Sequence, residues 1–342
     1  MTNRKYSKSS SFYLSTKKDF FDNNSALLTK AESQNAAYLA QPRRAECKIC
    51  GSALTGEPDF VNHGVPYVFC RDCSHLNGLH DDSEDFWTAM YQAEEGADYS
   101  VNYVDRNYPS RSADVYAPKV DFLLDNLRSA SPSILDVGCG GGYFVHAALS
   151  KGARASGIDV NRTLVDFGNA QIGALLDERP LHHVGEDNLF EVVSRSEADV
   201  ISAIGVIEHL RDPQGFFDAF RKSGARYLYY SVPMFSLSVM IENAFPKVFP
   251  RQLSGGHTHL FTEKSIARMN EIVSVDAVAE WRFGTDMLDL FRSLGNSLED
   301  NGASAAMHEA AFDGFGAMVD KFQAVLDENH FCSEIHLLGR KH

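Results

Sequence analysis

No run of consecutive apolar residues in this chain approaches the roughly 18 needed for a membrane-spanning helix, which excludes a transmembrane segment. Nor does an apolar stretch follow the basic opening MTNRKYSKSSSFYLSTKK, so a secretory signal peptide is not expected and the cytoplasm is the expected compartment. Positive charge is scarce: 32 Lys and Arg stand against 46 Asp and Glu, for a net charge of −14. Eight of those cations (Arg4, Lys5, Lys8, Lys17, Lys18, Lys30, Arg43, Arg44) lie in residues 1–44 beside only three acids, so the rest of the chain carries −19. A body that acidic repels a phosphate backbone over a Debye length of about 8 Å, and nucleic acid is not expected as the substrate. Residues 1–44 read as a flexible basic arm. Cysteine is also sparse, six in 342 residues, and four of the six are paired in spacing.

At 37.9 kDa and 44% hydrophobic, the chain can bury one large core and a smaller unit. The paired cysteines are Cys47-x-x-Cys50 and Cys70-x-x-Cys73, with nineteen residues between the pairs. Two such knuckles match a four-cysteine zinc site, whose thiolates converge on a tetrahedron and leave no position open for water. The zinc is therefore expected to be structural. A redox dithiol or a pair of disulfides fits the expected cytosolic setting less well. His63, His75 and His80 lie nearby and read as packing or surface residues, because four sulfurs already complete the ligand set. A second, catalytic metal is not indicated.

Residues 45–80 form the expected ribbon, residues 81–111 a Tyr- and acid-rich connector, and residues 112–342 the main domain. In that domain strands alternate with helices: ILDV, ASGIDV, a weak third near LHHV, ADVISAI and RYLYYSV. Parallel strands need crossover helices, so the alternation specifies an α/β fold with a sheet covered on both faces. Residues 286–330 read as less regular helix, and SEIHLLGRK as a last strand.

The central motif is Asp136-Val137-Gly138-Cys139-Gly140-Gly141-Gly142, which leaves a strand and opens a helix. Glycines there let the backbone turn sharply and approach a ligand at the carboxyl end of the strand. Asp159 closes the second strand, where a carboxylate accepts hydrogen bonds from ribose hydroxyls. Either a nicotinamide or another adenosine-bearing cofactor satisfies these two features. The segment Gly205-Val206-Ile207-Glu208-His209-Leu210, running on to Asp212-Pro213, is left unexplained by a nicotinamide enzyme.

With ILDVGCGGGYF, GIDVN, GVIEHLRDP, SVPMF and GGHTHLFTEKSI in that order, residues 112–285 resemble the class I S-adenosylmethionine (SAM)-dependent methyltransferases. The four-cysteine ribbon makes the chain similar to a bacterial subgroup that modifies sugars and other small metabolites. The resemblance implies a Rossmann-like class I methyltransferase sheet with helices on both faces, plus the N-terminal zinc ribbon. It implies that Asp136, Gly138 and Gly140 turn beneath the methionine end of SAM. Asp159 would then hold the ribose, Asp187 in the loop after the third strand would contact adenine, and Ile204 and Gly205 would line the amino-acid end.

Glu208 and His209 end the fourth strand near the expected methyl group, and His209 is a candidate base because a free imidazole titrates near pH 6.5. The alternative is that Glu-His-Leu shapes the pocket and caps the next helix. His257 and His259 sit on a glycine-flanked loop after the fifth strand; His257 is the preferred candidate, and no third metal ligand is suggested near the pair. Against both, a loop histidine bonded to Thr262 or Glu263 is the plainer reading. Tyr103, Tyr108, Arg111 and Tyr116 are candidates to cover a sulfonium from the connector side.

The expected function is methyl transfer from SAM to a small polar acceptor such as a sugar, a nucleotide sugar or a related biosynthetic metabolite. The rivals are an RNA methyltransferase gripping its substrate through the ribbon, a nicotinamide oxidoreductase, and a SAM-binding scaffold without turnover. No feature of the sequence sets the oligomeric state or the atom methylated.

Overall fold

A computed structural model describes residues 2–10, 23–87, 108–127, 129, 131–253 and 256–342. The expected strands assemble as β5 (Ser133–Val137), β6 (Arg154–Asp159), β7 (Leu181–His183), β8 (Val200–Ile204) and β9 (Tyr227–Pro233). They pair in parallel in the order β7-β6-β5-β8-β9, so the strand order reverses beside β5. Their apolar runs follow from helices on both faces, since a doubly covered strand has no polar side.

The sheet then continues in a way the sequence reading only partly foresees. β12 (Glu334–Lys341), the expected last strand, inserts antiparallel between β9 and an unforeseen β11 (Val275–Phe283). β11 escapes a pattern reading because its charged residues find partners inside: Arg282 pairs with both Glu263 and Glu280. Outermost lies β1 (Asn3–Tyr6), parallel to β11. Within the segment expected as a flexible arm, residues 3–6 are therefore sheet. Arg4 pairs with Glu280 at 2.7 Å and the Lys5 ammonium stands 4.0 Å from the Trp281 ring centroid, which uses the arm's cations locally. Residues 24–39 of the same segment form a helix whose Tyr38 is buried and donates its hydroxyl to the His80 carbonyl.

The ribbon is a second, antiparallel sheet made of β2 (Phe60–Asn62), β3 (Val65–Phe69), β4 (Leu76–Gly78) and β10 (His259–Leu260), in the order β10-β4-β3-β2. Because β10 comes from the main domain, the two sheets share a strand connection at the loop after β9. Their cores merge as well: Cys47, Ile49, Cys70 and Cys73 pack in one cluster with Phe216, Phe217 and Phe220 of the helix Pro213–Lys222. That helix starts because Asp212 accepts the Gly215 amide at 2.9 Å and Pro213 presets the first turn. Burying each of its three phenylalanines fully contributes about 1.5–3 kcal/mol. Three further helices, Asp286–Asp300, Ala305–Gly316 and Val319–Glu328, fill the span before β12. Among the described residues, no helix is long and apolar enough to cross a membrane.

Candidate active site

The glycine turn takes the conformation its sequence requires. Gly138 has φ +68°, and a Cβ there would stand 2.6 Å from Val206 Cγ2, so both backbone and space demand glycine. Gly140 has φ +51° and donates its amide to Asp159 Oδ2 at 2.7 Å, while Asp159 Oδ1 accepts the Asn161 amide at 2.7 Å. Asp159 thus ties the end of β6 to the turn after β5. Burial raises its pKa despite these bonds. Asp136 accepts the Ser202 hydroxyl at 2.7 Å from β8, and burial pushes its carboxyl up to about 7.

The turn leaves room for a side-chain atom at two of its neighbouring glycines. A Cβ added at Gly140 would meet nothing nearer than Leu164 Cδ1 at 3.9 Å, and one at Gly205 nothing nearer than Glu208 Oε1 at 3.8 Å. These two half-buried glycines fit a ligand laid across the carboxyl ends of β5 and β8. Ile204 is half-buried at the end of β8, beside Gly205. Asp187 departs from the expected loop: it is exposed in the first turn of the helix Glu186–Ser194, whose preceding residue is Gly185.

Three of the connector residues gather around Tyr143. Tyr108 is buried, donates its hydroxyl to the Gly141 carbonyl at 2.9 Å and stacks on Tyr143 at 4.3 Å. Tyr116 stacks on the same ring at 5.5 Å, and the Arg111 guanidinium stands 5.2 Å from its centroid. They brace the helix that follows the glycine turn. Tyr103 lies outside the described residues.

Glu208 and His209 form a short 3-10 turn after β8. Neither caps the following helix, a task Asp212 performs. His257 Nδ1 donates to the Gln252 carbonyl at 3.1 Å, and its ring lies 5.4 Å from that of His209 at an interplanar angle of 30°. Glu208, His209 and His257 therefore converge, each placing a ligand atom within 4.8 Å of the others. This corrects the sequence reading, which saw no third ligand near His257; the partners lie some fifty positions away and only the fold joins them. Burial pushes the Glu208 carboxyl up to about 8. Burial and the neighbouring His257 lower His209 to about 3, and burial lowers His257 to about 4. Both imidazoles are thus neutral at pH 7, well below the ordinary value assumed from sequence.

His259 separates from His257. Fully buried, it pairs with neither Thr262 nor Glu263: its Nδ1 meets His75 Nε2 at 2.7 Å and its Nε2 donates to the Glu208 carbonyl at 3.0 Å. Sequence reasoning also missed a buried group beside the site: Lys119, Glu334 and His336. Glu334 accepts His336 Nε2 at 2.8 Å, and Lys119 Nζ lies 3.9 Å from Glu334. Lys119 and Glu334 are 215 positions apart, and no local pattern signals their meeting.

In the ribbon, Cys47 Sγ lies 3.6 Å from Cys73 Sγ, and Cys50 Sγ 3.5 Å from Cys70 Sγ. All four sulfurs fall within 4.8 Å of one another and none is in a disulfide. A tetrahedral ion with bonds of about 2.3 Å would hold its sulfurs roughly 3.8 Å apart, so the cluster fits one. The Cys73 thiol bonded to Cys47 holds Cys47 down at about 5, and Asn77 Nδ2 donates to the same sulfur at 3.6 Å.

Residues 108–273 match a family model described as a methyltransferase domain. Curated relatives include the ubiquinone biosynthesis O-methyltransferase of Coxiella burnetii, 31% identical over 96 residues, and that of Aromatoleum aromaticum, 25% identical over 95 residues. Each match covers 28% of this chain and 40% of the relative, so the chain spans about two fifths of the length of the curated relatives it matches. Among solved structures, magnesium protoporphyrin IX methyltransferase from Synechocystis PCC 6803 with bound SAH aligns at TM-score 0.47 and 13% identity. That alignment covers 76% of this chain and all (100%) of that one.

Proposed function

Because residues 108–273 match a methyltransferase-domain model and lie on a doubly covered parallel sheet, we propose that the protein transfers a methyl group from SAM to a small polar acceptor. The observation that carries the reading is the room left at the half-buried Gly140 and Gly205, with Asp159 bonded to the first and Glu208 beside the second. When bound, SAM supplies a methyl group already activated by its sulfonium. Asp159 receives the ribose hydroxyls with the lone pairs its two amide bonds leave free. Asp136, Gly138 and Gly140 support the methionine end, Ile204 and Gly205 line it, and Asp187 is proposed to reach adenine.

Glu208, His209 and His257 face the acceptor. The names of the curated relatives favour oxygen as the atom methylated. With no ion among the three side chains, His257 is the better base, since its Nδ1–H is held by Gln252 and its Nε2 lone pair is left to take a proton. Alignment of donor and acceptor accounts for several kcal/mol of the barrier in such transfers. The acceptor is proposed to be a sugar, a nucleotide sugar or a related metabolite, and the −19 body supports a small molecule over nucleic acid. The four cysteines are proposed to hold a structural zinc that joins the ribbon to the main core.

The test is transfer of labelled methyl from SAM into two fractions of a cell extract, small metabolites and purified RNA, with His257→Ala and His209→Ala alongside. Label in small metabolites, reduced in the variants, is expected. Label confined to RNA would overturn the acceptor class, and SAM binding without any transfer would favour the scaffold.

A further inference from the structure

We infer that Glu208, His209 and His257 bind one divalent metal cation, separate from the cysteine cluster, and that this ion holds the acceptor oxygen. Three ligand atoms from these side chains already lie within 4.8 Å of one another. Glu208 is 4% exposed, and its buried Oε2 has no hydrogen-bond partner among the described residues. A buried carboxylate oxygen in that condition is costly unless a proton or an ion holds it.

The surrounding bonds are those a metal site needs. His257 gives its Nδ1–H to the Gln252 carbonyl at 3.1 Å, which fixes the tautomer and leaves Nε2 as the ligand atom. His209 is bonded to the Gly256 backbone. The two rings lie 5.4 Å apart, too close for both to carry charge comfortably, so each offers a neutral lone pair. The main chain of Glu208 is pinned by His259 at 3.0 Å. Two imidazoles and one carboxylate suit zinc, iron, manganese or cobalt better than calcium or magnesium, and leave coordination positions for an incoming oxygen.

Glu208 Oε1 borders Gly205, so the ion stands where the acceptor meets the proposed cofactor end. Here the inference deepens the methyl-transfer reading and rests on it for what the ion does, though not for whether it binds. The ion lowers the pKa of the acceptor hydroxyl, whose proton leaves to solvent instead of to His257. The oxygen lone pair then forms the O–CH3 bond while the C–S electrons pass to sulfur, leaving the thioether.

The experiment uses the full chain with its cysteine cluster loaded with zinc and titrates it with Mn2+, a probe that thiolates hold poorly. Loss of the free Mn2+ paramagnetic signal should report one ion per chain. Binding should weaken at least about tenfold in Glu208→Gln and His257→Gln, with zinc content and SAM affinity unchanged. In the unaltered protein, Mn2+ should broaden the ring resonances of His209 and His257 before those of His182, an exposed histidine. No uptake below millimolar Mn2+, or uptake unchanged in both variants, or broadening elsewhere, would overturn the site. Failure of the methyl-transfer reading would show separately, as absent SAM binding in the same samples.

Discussion

His75 Nε2 lies 2.7 Å from His259 Nδ1, and both rings are fully buried between the ribbon and the main domain. Because the Glu208 carbonyl can only accept, His259 carries its proton on Nε2, and its Nδ1 must accept from His75. The ribbon thereby holds the turn that carries Glu208 and His209. Replacing His259 by Ala leaves the His75 donor and the Glu208 carbonyl unsatisfied, each worth about 1–3 kcal/mol. His259→Ala should lose stability on that order in urea melts. Turnover should fall about tenfold or more while SAM affinity changes little, since Asp159 and the glycine turn are untouched. Equal losses in turnover and SAM affinity would mean that His259 only packs.

Much of this arrangement is legible in the sequence, for reasons of range. The glycine turn, Asp159 and the cysteine knuckles are short motifs whose meaning is local backbone geometry, and β5 to β9 declare themselves by buried apolar runs. What the sequence hides is what distant segments do to one another. His75 and His259 are 184 positions apart, and nothing near His75 distinguishes it from a surface histidine. β1 reads as a basic arm because its cations are visible and their partners, Glu280 and the Trp281 ring, are not. The lowered proton affinity of His209 likewise depends on burial and on His257, neither of which its neighbours reveal.

Asp159 bonds the Gly140 and Asn161 amides with different oxygens, so an amide in its place can satisfy only one of them. Asp159→Asn should raise the dissociation constant for SAM by about 10- to 100-fold, from bonds to a charged group of about 1.5–3 kcal/mol. Isothermal titration against SAM measures it directly. An unchanged affinity would remove Asp159 from the cofactor site.

Zinc loss should reach beyond the ribbon. Cys47, Cys70 and Cys73 share a core with Phe216, Phe217 and Phe220, which pack beneath β8 and β9. Chelation, or Cys73→Ser, should therefore lower the melting temperature of the main transition rather than detach a small early one. Structural zinc supplies folding free energy on the order of 10 kcal/mol in small metal-dependent domains. Calorimetry with and without chelator, alongside elemental analysis for one zinc per chain, tests this. An unshifted main transition after complete zinc removal would show that the ribbon melts independently.

Asp136 should set a pH dependence of stability before any ligand is added. Its carboxyl, buried under β8, is pushed up to about 7 from an ordinary 3.8, with the Ser202 bond acting in the opposite direction. The folded chain thus holds this proton more tightly than the unfolded chain does. Its stabilising contribution is complete below about pH 3.8 and is lost as pH rises through about 7. Asp136→Asn keeps an oxygen to accept the Ser202 hydroxyl and has no proton to lose. Relative to that variant, the unaltered protein should melt at progressively lower temperature between pH 5 and about 8, a difference on the order of a few kcal/mol, then level off. A difference that stays flat, or rises with pH, would mean that Asp136 ionises freely in the folded chain. The desolvated turn beneath the proposed cofactor would then be wetter than its burial implies.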